Sequence, residues 1–475
     1  MTPWARTRYR APVFGSDRLL ELLGRAVGDR AADVDHLEAS FHGLEGQFTR
    51  FGCSTVLYSS DVFDPKVTVR AVVGGCAADA TTTDLTADGL RAVRDQAIAT
   101  ARSVAQSSAR RRPAPEPVAP DGVSVIDLPN AFDDATAATE SGAVFGTLAS
   151  AFAQADAHGV ALAGRYVTGA HERAIATSTG LVRYFRSTAA DARVYATVDR
   201  VSGMCGDIGP AVGKLDVARF ADVAIEKCVR SKDPMELAPG AYDVILEPAA
   251  VAELCEWLGL VGLTPRGLED GTSFLAGRLG EAVTGDRVTL LDDGRCARGV
   301  GLPMPFDREG VLKREVVLIE GGVGRTVVHD RDTAARLGGC ASTGHAVQKE
   351  ESFDGGPTPS HLVFLPGDDT AETLLARVER GLWITSFHYV NGLLDPRRAL
   401  MTGLTRHGTF AIADGRLGRG VRNLRFTDSV LEAFARIDGV GRELQASAPG
   451  WGLASATSVP MLLIRGLEFT GASAE

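Results

Sequence analysis

The sequence predicts an α+β protein in two parts. The first is an N-terminal two-layer α/β domain on an antiparallel sheet. The second is a β-rich C-terminal domain, a sandwich or a partial barrel. Three observations predict this. The 475 residues exceed what one ordinary core covers, so two domains are expected. The first half interleaves helix-periodic stretches with β-rich runs, the pattern of strands layered with helices. The second half reads mostly as short strands between Gly-rich turns. The expected spans are 1–232 and 233–475.

Taken in order, residues 17–28 place Leu19, Leu20, Leu22 and Leu23 on one side of a short helix. STVLYSS and KVTVRAVVGG read as two strands. In the second, Val67, Val69, Ala71 and Val73 share one face, and Lys66, Thr68 and Arg70 the other. A helix is expected over 87–107, with Leu90, Val93, Ala97, Ala101 and Val104 at three- and four-residue spacing and Thr86 as its N-cap. The Pro- and Arg-rich stretch 108–122 reads as a linker. A helix follows over 139–157. GVALAGRYVTGAHERAIATSTG and LVRYFRSTAADARVYATVD then read as strand segments that each bend back on themselves. A helix at 216–232 ends the first half. In the second half, helices are expected near 249–260 and 370–380. GTFAIADGRLGRG reads as a hairpin turning at Asp414-Gly415.

Composition excludes several classes. With 45% hydrophobic and 23% charged residues, the chain has a soluble globular profile. Its net charge of −10 argues against nucleic acid as a partner. Seven cysteines without a C-x-x-C pair argue against a disulfide framework and against a cysteine zinc cage. The basic start MTPWARTRYR lacks an apolar continuation, so it does not read as a secretory signal. No run approaches the roughly 20 apolar residues of a membrane span. A reduced, cytoplasmic setting is expected.

Most motif-like stretches fail on spacing. GPAVGKL at 209–215 has one residue too few for a phosphate loop, and Leu215 replaces the Ser/Thr that would hold magnesium. No Gly-rich dinucleotide fingerprint or nucleophile elbow is present, and the nine histidines form no close metal spacing. Two stretches remain as substrate-contact candidates. SFHYVNG offers His388, Tyr389 and Asn391 to a groove, although a plain strand with alternating faces explains it equally. PMPFDREGV sets Asp307 and Glu309 two apart, where they would perturb each other's ionisation or cap nearby backbone N–H groups.

The stretch AYDVILEPAAVAELCEWLGLVGL (241–263) reads as a strand running into an apolar helix. It carries Glu253, Cys255 and Glu256 and no histidine. Val251, Leu254, Leu258 and Val261 follow the rhythm of a buried helix face. With TRFGCST, VTVRAVVGG, ATTTDLT, PFDREGVLKREVVLIEGGV, ERGLWITSFHYVNG, GTFAIADGRLGRGVRNLRFTDSVLEAF and SVPMLLIRGLEFTG, it resembles the TldD/PmbA family, in order and over nearly the whole chain.

That resemblance implies a heterodimeric metalloprotease. Its TldD-type subunit carries H-E-x-x-x-H after this strand and a late cysteine in the Gly-rich C-terminal segment. The PmbA (TldE) type lacks these ligands and serves as partner. Placed here, the motif falls on Cys255, Glu256 and Leu260, and PGWGLASATSVP contains no cysteine. Glu256 matches the general-base position, but both histidines are missing, and catalytic zinc normally needs three protein ligands. The resemblance thus implies a non-catalytic subunit with no metal of its own. Zinc is expected in a TldD-type partner, and an unfolded or modified peptide as substrate, for example in natural-product maturation. Two other readings stay open. One is a stand-alone enzyme with Cys255 as nucleophile and His388 as base, against which a helix-buried thiol argues. The other is a homodimeric peptide-binding modulator.

Overall fold

The computed structural model describes residues 14–28, 30–107, 113–347, 352–448 and 456–472. Part of the expected linker (108–112) and most of the Gly-rich C-terminal segment (449–455) lie outside them. The first half is a six-stranded antiparallel sheet, in the order β3-β2-β1-β4-β5-β6. Its strands are β1 His36–Gly52, β2 Thr55–Val73, β3 Cys76–Thr82, β4 Ala161–Thr177, β5 Val182–Val198 and β6 Val201–Gly209. The helices are α1 Ser16–Val27, α2 Ala87–Ser107, α3 Asp134–Ala137, α4 Ser141–Ala157 and α5 Val217–Arg230.

One face of the sheet is apolar and carries the helices. Leu19 and Leu23 of α1 and Leu90, Val93, Ala97 and Ala101 of α2 pack on Leu37, Ala39, Phe41, Val67, Val69 and Ala71. Further along, Leu148, Ala151, Phe220 and Ala224 of α4 and α5 cover Phe51, Leu162, Val194 and Ala196. Each large side chain buried this way contributes about 1.5–3 kcal/mol. The Thr86 hydroxyl accepts from Gly89 N (3.1 Å) and caps α2.

Three strand expectations are corrected. The strand β1 was not expected at all. Thr55–Val73 is one 19-residue strand instead of two. The Asp64-Pro65 step that divides it in sequence lies beyond the reach of β3, which pairs only with residues 67–73, so the proline sits on a free edge where its missing N–H does no harm. The segments 159–180 and 181–199 do not bend back. Each is a single long strand, and β4 and β5 pair as one hairpin. Gly164 and Gly169, which look like turns, are close-approach residues: a Cβ would lie 2.0 Å from Arg193 O and 2.8 Å from Glu45 O respectively. The β1–β2 turn uses Cys53 and Ser54, both at positive φ (49° and 52°), without any glycine.

All strands of the other two sheets come from residues 240–472. In one of them, strands Gly240–Leu246 (β7), Leu462–Ala472, Leu424–Ser429, Leu400–Ala413 and Arg380–Asp395 pair successively. The last pairs back with the first, closing a ring. The other sheet is six-stranded. The helix α6 Pro248–Gly262 joins both in one core: Val251, Leu254, Cys255 and Leu258 cluster with Leu290 and Phe364 of one sheet and Leu382, Ile384 and Leu462 of the other. The expected hairpin forms, with Asp414 and Gly415 at positive φ (48° and 69°). Among the described residues no helix is long and apolar enough to cross a membrane.

Candidate functional site

The second face of the first sheet is largely polar, broken by apolar patches at Ile175 with Phe185 and at Ala189 with Ile208, and meets the C-terminal half. Alternation puts Arg193 and Tyr195 of β5 on this face, opposite the helix-facing Val194 and Ala196. Tyr195 lies against His407 of the strand Leu400–Ala413, ring centroids 4.8 Å apart. The strand–helix junction β7–α6 arrives beside them.

Buried Val244, Ile245 and Leu246 fix the strand, and Pro248 starts the helix in the first-turn position where its lack of an N–H is harmless. Glu247, between the two, does not cap the helix with its side chain. Its carboxylate pairs with Lys227 Nζ (2.7 Å) and accepts from Trp383 Nε1 (2.6 Å) and Thr385 Oγ1 (3.3 Å). Along α6, Val251, Leu254, Cys255 and Leu258 turn into the core, whereas Glu253, Glu256, Trp257 and Leu260 stay half-buried. Glu253 and Glu256, three apart, share a face. The Glu256 Oε1 is buried and has no hydrogen-bond partner among the described residues.

Burial, and then the charge of Glu253, push the Glu256 carboxyl up to about 8, against the opposing pull of the Thr457 hydroxyl and Arg193. Burial raises Glu253 as well, with Arg193 again opposing. Near neutral pH the pair therefore retains a proton. The Cys255 thiol is pushed far up by burial and by Glu256. His407 is pushed down to about 3 by burial and by Arg406, His388, Arg193 and Lys227. Its neutral ring sits 2.9 Å from Ser202 Oγ through Nδ1. The arrangement is a set of hydrogen-bonding groups from both halves, in which Glu256 can donate or accept and the imidazole is uncharged.

Of the residues singled out in sequence, Cys255, Glu256 and Leu260 lie here on α6. His388 is half-buried and close enough to His407 to depress it. Tyr389 and Asn391 do not line the same groove. The strand bulges between His388 and Asn391, Tyr389 takes a positive φ of 51° and is 79% exposed, and Asn391 Oδ1 accepts from Leu393 N (2.8 Å). Asp307 and Glu309 are elsewhere and are engaged internally. Asp307 accepts from the backbone N–H groups of Glu309, Val311 and Ala346, and Glu309 pairs with Arg70 (3.3 Å) and Arg331 (3.0 Å). Both are 3% exposed, which leaves no surface for a substrate. Sequence reasoning missed Arg193, Tyr195, Ser202, Lys227, Glu247 and His407. The available signal was His407-Gly408, a turn-like pair inside a strand, where His407 takes a positive φ of 59°.

Comparison with known proteins gives this arrangement its class: residues 239–471 match the PmbA/TldA metallopeptidase C-terminal domain. Residues 239–471 thus form a C-terminal domain of the PmbA/TldD family. A metalloprotease from Methanothermobacter thermautotrophicus is 27% identical over 262 residues, 54% of this chain and 55% of the relative. Another from Methanocaldococcus jannaschii is 25% identical over 233 residues, 48% of this chain and 50% of the relative. The chain thus spans about half the length of the curated relatives it matches. In fold, the crystal structure of TldE from Thermococcus kodakarensis is similar over 96% of this chain and 99% of its own, with a TM-score of 0.80 at 19% identity.

Proposed function

We propose that this chain is a TldE-type, non-catalytic subunit of a two-subunit TldD/TldE-like zinc peptidase, and that it helps hold an extended, unfolded or modified peptide. The observation that carries the reading is the register of α6. Zinc at the family position would need donors from residues 255 and 260. The Cys255 side chain turns into the apolar core and its thiol resists ionisation, and Leu260 has no donor atom. These residues do not fit the ion, so zinc belongs in an H-E-x-x-x-H partner. Glu256 keeps its place without a metal to activate water. Its neutral carboxyl and the His407 ring suit hydrogen bonding to a peptide backbone instead. The same burial of Cys255 weighs against the stand-alone cysteine enzyme.

Co-expression with an H-E-x-x-x-H homologue tests the proposal. Size exclusion with light scattering should show a 1:1 complex, and only that complex should cleave unstructured peptides. A homodimer of this chain beside a homologue that cleaves equally well alone would reject it.

A further inference from the structure

A second polar cluster lies on the same inner face of the first sheet, away from α6. His42 of β1 stands opposite Arg173 of β4 and Lys66 of β2. His171 lies two residues before Arg173 along β4, on the same face, and its ring stacks on His42 with centroids 6.0 Å and planes 18° apart. His171 is 7% exposed, yet among the described residues neither ring nitrogen finds a partner, and His42 Nε2 is likewise unpartnered there.

The C-terminal half closes on this cluster. Phe306 and Leu312 pack on Ile175 and Phe185, and Arg183 Nε donates to Gly310 O (2.6 Å). That contact seats the 306–312 turn one same-face position from Arg173 and brings up Lys313. Lys313 Nζ donates to Ser360 Oγ (2.8 Å), which lies 2.8 Å from His361 Nδ1. His361 is 2% exposed and its Nε2 has no partner among the described residues. The nearby acid, Asp292, is engaged by His345 Nε2 and by the backbone N–H groups of Ser360 and His361.

Among the described residues, four buried imidazole nitrogens beside cationic side chains thus lack partners, where buried polar atoms are normally satisfied. A cation is a poor fit: the charge of Arg173 and then burial hold down the ionisation of His42, burial and then Arg173 that of His171, and burial above all that of His361 and Lys313, where Arg173 adds to it and Asp292 opposes. Among the described residues, no three His, Cys, Asp or Glu side chains converge as a metal site. Arg173 and His42 are only half-buried, so the cluster is reachable from one side.

We propose that His42, His171, Arg173, Lys313 and His361 form an anion subsite that takes a carboxylate of a bound extended peptide. The proposal rests on the peptide-holding reading above for the source of the anion. A peptide supplies one either as its C terminus or as an acidic side chain.

The test uses the full chain, in complex with its partner where one forms, and three versions of one unstructured N-acetylated peptide. One has a free C terminus, one is amidated, and one is amidated with an internal glutamate. Calorimetry should show at least about tenfold tighter binding for a carboxylate-bearing version than for the neutral amide, as expected for charge-assisted hydrogen bonds. Which acidic version gains identifies the source. The doubly substituted His171→Phe/His361→Phe chain should lose that gain and keep the amide's affinity, and His171→Gln, a milder change, should retain part of it. In parallel, acetate should shift the imidazole NMR signals of His171 and His361. Equal binding of acid and amide overturns the subsite and leaves the peptide reading standing. Acetate shifts without any peptide binding support the subsite and remove the peptide reading. Neither binding nor shifts overturn it.

Discussion

Glu256 is a carboxyl whose ionisation folding opposes. Its folded value, about 8, lies above the 4.5 of the free side chain. Between those values the unfolded chain has released a proton that the folded chain keeps, so stability contributed by this residue falls as pH rises from about 4.5 to about 8. Glu256→Gln keeps the shape and removes the titration. The wild-type chain should lose roughly 1–3 kcal/mol between pH 5 and pH 8 relative to the Gln variant, measured by urea unfolding at both values. Parallel profiles would mean that water or a partner stabilises the ionised form. The same variant should leave the cleavage rate of a reconstituted pair within a few-fold, whereas loss of a general base typically costs ~10²–10⁴-fold. Glu256 was legible in sequence because it sits in a motif frame on a single helix. His407 was not, since its partner Ser202 is on a strand from the other half. A polar residue on a strand reads as facing solvent until the element that covers it is known.

At the level of elements, the longer helices were legible and the long strands of the first half were not. The buried face of α6 at Val251, Leu254, Leu258 and Val261 follows directly from three- and four-residue spacing. β1 escaped notice because Gly43, Gly46 and Gly52 interrupt it, and its turn at Cys53-Ser54 lacks the usual glycine. The glycines reflect crowding between strands. A Cβ at Gly46 would lie 2.2 Å from Thr168 O and 2.6 Å from Gly169 Cα, both backbone atoms that cannot swing aside. Gly46→Ala should therefore destabilise the sheet by about 1–3 kcal/mol, as overpacking does. Gly142→Ala on α4, where a Cβ meets nothing within 4 Å, should be neutral or slightly stabilising. Chemical denaturation of the two variants side by side checks the contrast, and equal effects would reject the close-approach account.

Across the whole molecule, the two halves are joined by charge as well as by apolar contact. Arg331, from the C-terminal half, reaches Glu38 of β1 (2.6 Å) and Glu309 (3.0 Å), and Glu309 also meets Arg70 of β2 (3.3 Å). Glu38 and Glu309 are buried and Arg331 nearly so. Replacing one partner of such a network leaves the other charge buried and uncompensated, which typically costs about 3–5 kcal/mol. The loss would fall on the contact between halves, because each half keeps its own apolar core. Glu309→Gln should therefore lower the midpoint of unfolding and separate one calorimetric transition into two, the first marking release of the halves. Acid should act in the same direction. Burial works against ionisation of Glu38, but the His36 hydrogen bond and the charges of Arg331 and Arg70 outweigh it and hold the carboxyl at about 2. Stability from this residue is thus complete above about 4.5 and is lost as pH falls toward 2. Scanning calorimetry of the wild type at pH 7 and pH 3, beside Glu309→Gln at pH 7, decides the matter. A single transition with an unchanged midpoint in the variant would show that apolar contacts such as Phe306 on Ile175 hold the halves together without the ion pairs.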